Sequence, residues 1–131
     1  MNFLLYTHTF LWFVAGNDEL SQNARQIIEH PLNNGFVSIA SLWEISIKTA
    51  LGKLTIKGKF ETVIDDVIRN GFLLLPIEFQ HTVRQYKLPF HHRDPFDRIL
   101  VSQALVEDMN IVSKDVMFDD YIANEKIARI W

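Results

Sequence analysis

Five acidic or phenolic residues fall at positions where a layered α/β chain would gather its chemistry. Glu44 follows an apolar run, Phe36 to Ile39. Asp94 and Asp97 open a helical pattern behind Pro95, and Asp115 follows the run Ile111 to Ser113. Tyr6 ends the first apolar run, Phe3 to Tyr6. If those runs are parallel strands, their C-terminal ends share one edge of a sheet, where ligands bind in the crevice. Distant carboxylates would then converge. A cluster of hard oxygen donors suits magnesium or manganese better than zinc. Such a cation lowers the pKa of a bound water and neutralises charge on a phosphodiester.

Each acid also has a purely structural reading. Ser41-Leu42-Trp43-Glu44 has the form of a capping box, with Glu44 satisfying a backbone N–H. Asp94 before Pro95 is an ordinary N-cap, Asp97 favours a first helical turn, and Asp115 suits a turn. Capping explains each acid singly; it does not require all of them to gather at one edge. Asp18, Glu19, Asp65, Asp66, Asp119 and Asp120 read as solvated. His91, His92 and Arg93 precede Asp94 as a polar knot: either an exposed loop, or a phosphate contact with His91 in proton transfer. Lys48, Lys53, Lys57 and Lys59 form a local basic stretch, which reads first as a solvated face and second as a guide for a nucleic-acid backbone. Trp12, Trp43 and Phe96 sit among apolar residues and read as core.

The elements that must position these residues alternate between strand and helix. Strands are expected at Phe3 to Tyr6, Phe36 to Ile39, Phe72 to Leu75 and Ile111 to Ser113, with a fifth at an edge over Ile127 to Ile130. Helices are expected at Thr7 to Val14, from Ser21 to about Glu29, from Ser41 to Gly52, at Phe60 to Arg69, at Glu78 to Lys87, and from Pro95 to about Asp108. Leu11 and Trp12 are expected in the core, as is one face of Val63, Ile64, Val67 and Ile68. Strands joined through helices pair in parallel with right-handed crossovers. The 131 residues fit one domain, and 48% hydrophobic composition supplies a proper core. Cysteine is absent, which removes disulfides and thiolate chemistry. The N-terminal residues have no basic n-region, and no apolar run is long enough for a bilayer, so a cytoplasmic setting is expected. With a net charge of -3, nucleic-acid binding would have to rest on a local patch. No glycine-rich phosphate loop supports a nucleotide-hydrolysing or phosphatase reading.

Four segments together resemble the VapC-like PIN domains. Leu4-Leu5-Tyr6-Thr7-His8 looks like that family's opening Leu-Leu-Asp-Thr-His. Ser38 to Lys48 looks like its second motif, His91-His92-Arg93-Asp94-Pro95-Phe96-Asp97-Arg98 its third, and Ile111 to Phe118 its last. The likeness covers nearly the whole chain. It implies one PIN domain over residues 1–131, an α/β/α three-layer sandwich around a short parallel sheet. It also implies a magnesium-dependent endoribonuclease (manganese as an alternative) that is the toxin of a type II toxin–antitoxin pair. The implied partners are an antitoxin protein, an RNA substrate and a second copy in a homodimer. By position, the resemblance makes Glu44, Asp97 and Asp115 metal ligands and adds Asp94 to the catalytic set. Tyr6 stands where the family has aspartate. A phenol with a pKa of about 10 is neutral at pH 7 and a poor magnesium ligand, so impaired cleavage, or a fold that only binds antitoxin or RNA, is expected.

Overall fold

The computed structural model describes residues 1–131. Five strands form one sheet, β1 (Asn2–Leu5), β2 (Asn34–Ser38), β3 (Leu73–Leu75), β4 (Asn110–Val112) and β5 (Arg129–Ile130), in the order β3-β2-β1-β4-β5 with every pairing parallel. The register sets Leu5 beside Val37 and Val112, so the ends of three strands lie level. Side chains alternate across β1. Phe3 and Leu5 enter one buried cluster, with Phe10, Ala24, Ile28, Ile45 and Val67; Leu4 enters the other, with Leu100, Val101, Ala104, Phe118 and Ile122. Helices α1 (Thr7–Ala15), α2 (Gln22–Glu29) and α4 (Val63–Arg69) cover the first face. On the other lie α6 (Pro95–Glu107) and α7 (Asp119–Ile122), with α5 (Phe79–Lys87) packed on α6. The expected three-layer α/β/α sandwich is observed. No helix is long and apolar enough to cross a membrane.

Several boundaries move, for physical reasons. The first strand stops at Leu5, because Tyr6 is already the N-cap of α1. The second stops at Ser38, whose hydroxyl accepts the Ala40 N–H at 3.0 Å and so starts α3 (Ile39–Ala50) three residues before the expected cap at Ser41. Ser38 Oγ also donates to Gln103 Oε1 at 2.5 Å, and Gln103 Nε2 donates to Pro76 O at 3.1 Å, which ties α6 to the ends of β2 and β3. Ser41 and Glu44 are therefore not a capping box. Phe60–Thr62 is a 3₁₀ turn leading into α4, where Val63 and Val67 are buried while Ile64 and Ile68 face solvent. In α1 the buried positions are Thr7, Thr9 and Phe10, and Trp12 and Leu11 are only half-buried; Trp43 is exposed and Phe96 half-buried. Leu11 and Trp12 nonetheless pack against the buried cluster, as expected, whereas the expected core assignment of Trp43 is incorrect.

Gly35 is required in the middle of β2. A Cβ there would sit 2.8 Å from the rings of both Phe3 and Phe72.

Candidate active site

The level ends of β1, β2 and β4 lead directly into the candidate residues. Tyr6 leaves β1, Asp115 lies three residues beyond β4, and Glu44 sits one turn into α3 after β2. Asp97 comes from the first turn of α6. Asp94 is its N-cap, with Oδ1 accepting the N–H of Phe96 at 2.8 Å and of Asp97 at 3.4 Å. The negative charges of Asp97, Glu44 and Asp115 all act on the Tyr6 phenol, which places it among the three acids. Burial first, and then those charges, push its pKa well above that of an ordinary phenol, so Tyr6 stays protonated at any working pH.

Glu44 is 1% exposed, and both its oxygens are occupied. Thr7 Oγ1 is 2.8 Å from Oε1 and 3.0 Å from Ser41 Oγ, and Lys48 Nζ donates to Oε2 at 2.5 Å. That contact with Glu44 raises the Lys48 pKa. Lys48, read from sequence as part of a solvated basic face, is instead the counter-ion of the site. Asp97 is 4% exposed, and its Oδ1 has no partner. Burial, then the charges of Asp94 and Glu44, push its pKa up to about 7. The Tyr6 phenol and His92, whose Nδ1 is 3.6 Å from Oδ2, oppose that rise. Tyr6 lies close enough to lower the Asp97 pKa, yet no Tyr6–Asp97 hydrogen bond of regular geometry closes. Asp115 caps a 3₁₀ turn, accepting the Met117 N–H at 3.0 Å, and shares an open depression of about 370 Å³ with Tyr6, His8, Trp12 and Lys114.

The structural readings of Asp94 and Asp115 as caps hold alongside their place at the site. His92, rather than His91, faces Asp97; His91 packs edge-on against Tyr121. Sequence reasoning missed Thr7 as the polar bridge between Ser41 and Glu44. Asp119 is exposed, as expected, and also pairs with Arg129 at 2.8 Å.

A model of the PIN domain matches residues 4–123. The chain belongs to the PIN domain family. A chain in the crystal structure of VapBC2 from Rickettsia felis, bound to a DNA fragment from their promoter, is similar over 100% of both chains, with a TM-score of 0.70 and 16% identity. A chain in the structure of VapBC-1 from nontypeable Haemophilus influenzae is similar over 98% of this chain and 96% of that one, with a TM-score of 0.66 and 16% identity. At this identity the likeness speaks for the fold. No curated protein matches the sequence.

The donors of this PIN domain do not fit a resident divalent cation. No three His, Asp or Glu side chains converge as ligands. Thr7 and Lys48 each donate one hydrogen bond to the Glu44 carboxylate, and a protonated phenol fills the first-strand position.

The Asp97 pKa has a consequence for stability. Its folded value, about 7, lies above the 3.8 of an ordinary aspartate, so the folded state holds the proton more tightly between those limits. Stability from this group is full below about pH 4, falls as pH rises, and reaches its lowest level above pH 7. Asp97→Asn removes the penalty. Without divalent metal, the variant is expected to match the natural chain at pH 4 and exceed it at pH 8 by on the order of 2–4 kcal/mol. Urea unfolding across that range measures the difference; a gap that does not grow with pH would refute the assignment.

Proposed function

We propose that this PIN domain is the toxin of a toxin–antitoxin pair, built on a magnesium-dependent endoribonuclease scaffold whose chemistry Tyr6 suppresses. The supporting observation is the protonated phenol of Tyr6 among Glu44, Asp97 and Asp115, at the sheet edge where a carboxylate would complete the acid set. Glu44, Asp97 and Asp115 are the metal-ligand positions and Asp94 the adjoining acid of the unsuppressed site; manganese is the alternative ion. The neighbouring VapBC structures support a cognate antitoxin as partner. RNA is the substrate class, and the setting is the cytoplasm. A second reading, a fold that binds antitoxin or RNA without cleaving, is favoured by the occupied oxygens of Glu44. Cleavage of labelled RNA by the natural chain beside Tyr6→Asp, with and without magnesium, separates the two.

A homodimer belongs to the same proposal. On α5, Phe79, Val83 and Tyr86 are exposed at helical spacing along one face, and Leu73 and Leu74 are exposed on the edge strand β3. Phe60 packs on the core and is less available. Light scattering at micromolar concentration, without antitoxin, is expected to give twice the monomer mass, and Tyr86→Glu to halve it. A monomer mass for the natural chain would remove the dimer.

A further inference from the structure

Four half-buried aromatic rings follow one another away from the acidic site. Ring centres are 5.7 Å apart for Tyr6 and His8, 5.9 Å for His8 and Trp12, and 5.9 Å for Trp12 and Trp131. His8 and Trp12 are four residues apart on α1, on the side that Thr7 and Phe10 leave free for solvent. Trp12 packs on the buried cluster but, like His8, stays half in water, and the two form the wall shared by two depressions. The smaller, of about 370 Å³, holds Tyr6, Lys114 and Asp115; the larger, of about 600 Å³, continues along α1 to Lys57 and Arg69.

Cations line both depressions: Lys114 Nζ lies 6.0 Å from the Trp12 ring centre, and Lys57 is an exposed residue of the larger one. Lys114 and Arg69 pair with Glu19 and Asp66 through exposed ion pairs, which exchange at little cost. In an acidic chain this is the combination a single strand needs: rings on which bases stack whatever their identity, and cations for the backbone between them. A duplex keeps its base faces hidden and has no use for the rings.

We propose that Tyr6, His8 and Trp12 form a stacking subsite for unpaired bases of single-stranded RNA, with Lys57 and Lys114 taking backbone phosphates and the strand leading to the acidic site. The subsite rests on the RNA-directed reading above and adds to it where the strand lies. It is tested on the full chain by fluorescence anisotropy of a labelled short uridine homopolymer. Trp12→Ala is expected to weaken binding about tenfold and Trp12→Phe to restore most of it. Lys57→Glu, on an exposed loop where folding is safe, should weaken binding and flatten its salt dependence. An unlabelled RNA duplex should not compete. The subsite is overturned if the natural chain does not bind the homopolymer, if Trp12→Ala and Lys57→Glu bind it as well as the natural chain, or if duplex competes equally. It is likewise overturned if Trp12→Ala leaves RNA affinity intact and abolishes antitoxin binding, because the face is then a protein contact. Cleavage by Tyr6→Asp together with unchanged binding by Trp12→Ala removes the subsite and leaves the nuclease reading standing; absence of cleavage by Tyr6→Asp removes the nuclease reading whatever the binding shows.

Discussion

Replacing Tyr6 with aspartate is expected to switch on magnesium-dependent RNA cleavage, by about a hundredfold or more over the natural chain, given what loss of even supporting groups costs metal sites. The backbone should accept the change. Tyr6 is an N-cap with extended φ and ψ and no side-chain cap bond, and aspartate is among the best N-cap residues. The electrostatic effect runs the other way. A carboxylate in place of the phenol removes the neighbour that lowers the Asp97 pKa and adds a like charge beside Asp97, Glu44 and Asp115. Without divalent ions, Tyr6→Asp should therefore unfold more easily than the natural chain at pH 8, by about 1–3 kcal/mol, and millimolar manganese or magnesium should reverse the deficit. The natural chain should gain little from either ion. In the Tyr6→Asp background, Asp97→Asn should abolish cleavage again, because an amide keeps the shape and loses the charge. If the natural chain cleaves as fast as Tyr6→Asp at equal magnesium, position 6 is not a required ligand and the suppression proposal fails.

How far this site was readable from sequence depends on how local its determinants are. Asp94 and Pro95 were legible because an N-cap and an N1 proline act within one turn, and the structure keeps them there. Gly52 was legible as a helix stop for the same reason, with φ of +72° just past the end of α3. The start of α3 was not. Ser38 and Ser41 are equally good caps in isolation; what decides is where β2 stops pairing with β3, at Ser38 opposite Leu75, and the bond from Ser38 to Gln103 sixty-five residues away. The same non-locality hid the Ser41–Thr7–Glu44 bridge. Trp43 misled because hydrophobicity does not say which face of a helix the sheet will cover.

Arg98 is the strongest case of a residue whose role only the fold reveals, and its replacement should have the largest effect on stability. It is 2% exposed and has no carboxylate partner. Instead, Nη1 donates to Pro89 O at 2.8 Å and Tyr121 Oη at 3.3 Å, and Nη2 donates to Gln85 O at 3.0 Å and Leu88 O at 3.3 Å. The Phe90 ring lies 4.0 Å from the guanidinium carbon. Gln85 and Leu88 belong to the end of α5, where the last carbonyls carry the negative end of the helix dipole. Arg98 thus caps α5 with its charge and clamps the following loop onto α6. Tyr121 completes the clamp, with its hydroxyl 2.8 Å from His92 N and 3.2 Å from His92 O. This loop carries His92 towards Asp97 and ends at Asp94. Arg98→Met keeps the stem but removes four hydrogen bonds and leaves the Leu88 and Pro89 carbonyls without a partner, so it should cost about 3–5 kcal/mol in urea unfolding. Arg98→Lys should recover only part of this, because one ammonium cannot reproduce the planar fork. Phe90→Ala removes only the ring and should cost about 1–2 kcal/mol. The clamp also predicts where the loss appears first: the His92 amide should lose hydrogen-exchange protection in Arg98→Lys ahead of the amides of β1. A change of under about 1 kcal/mol in Arg98→Met, with the His92 amide as protected as before, would mean the loop is held by Tyr121 alone.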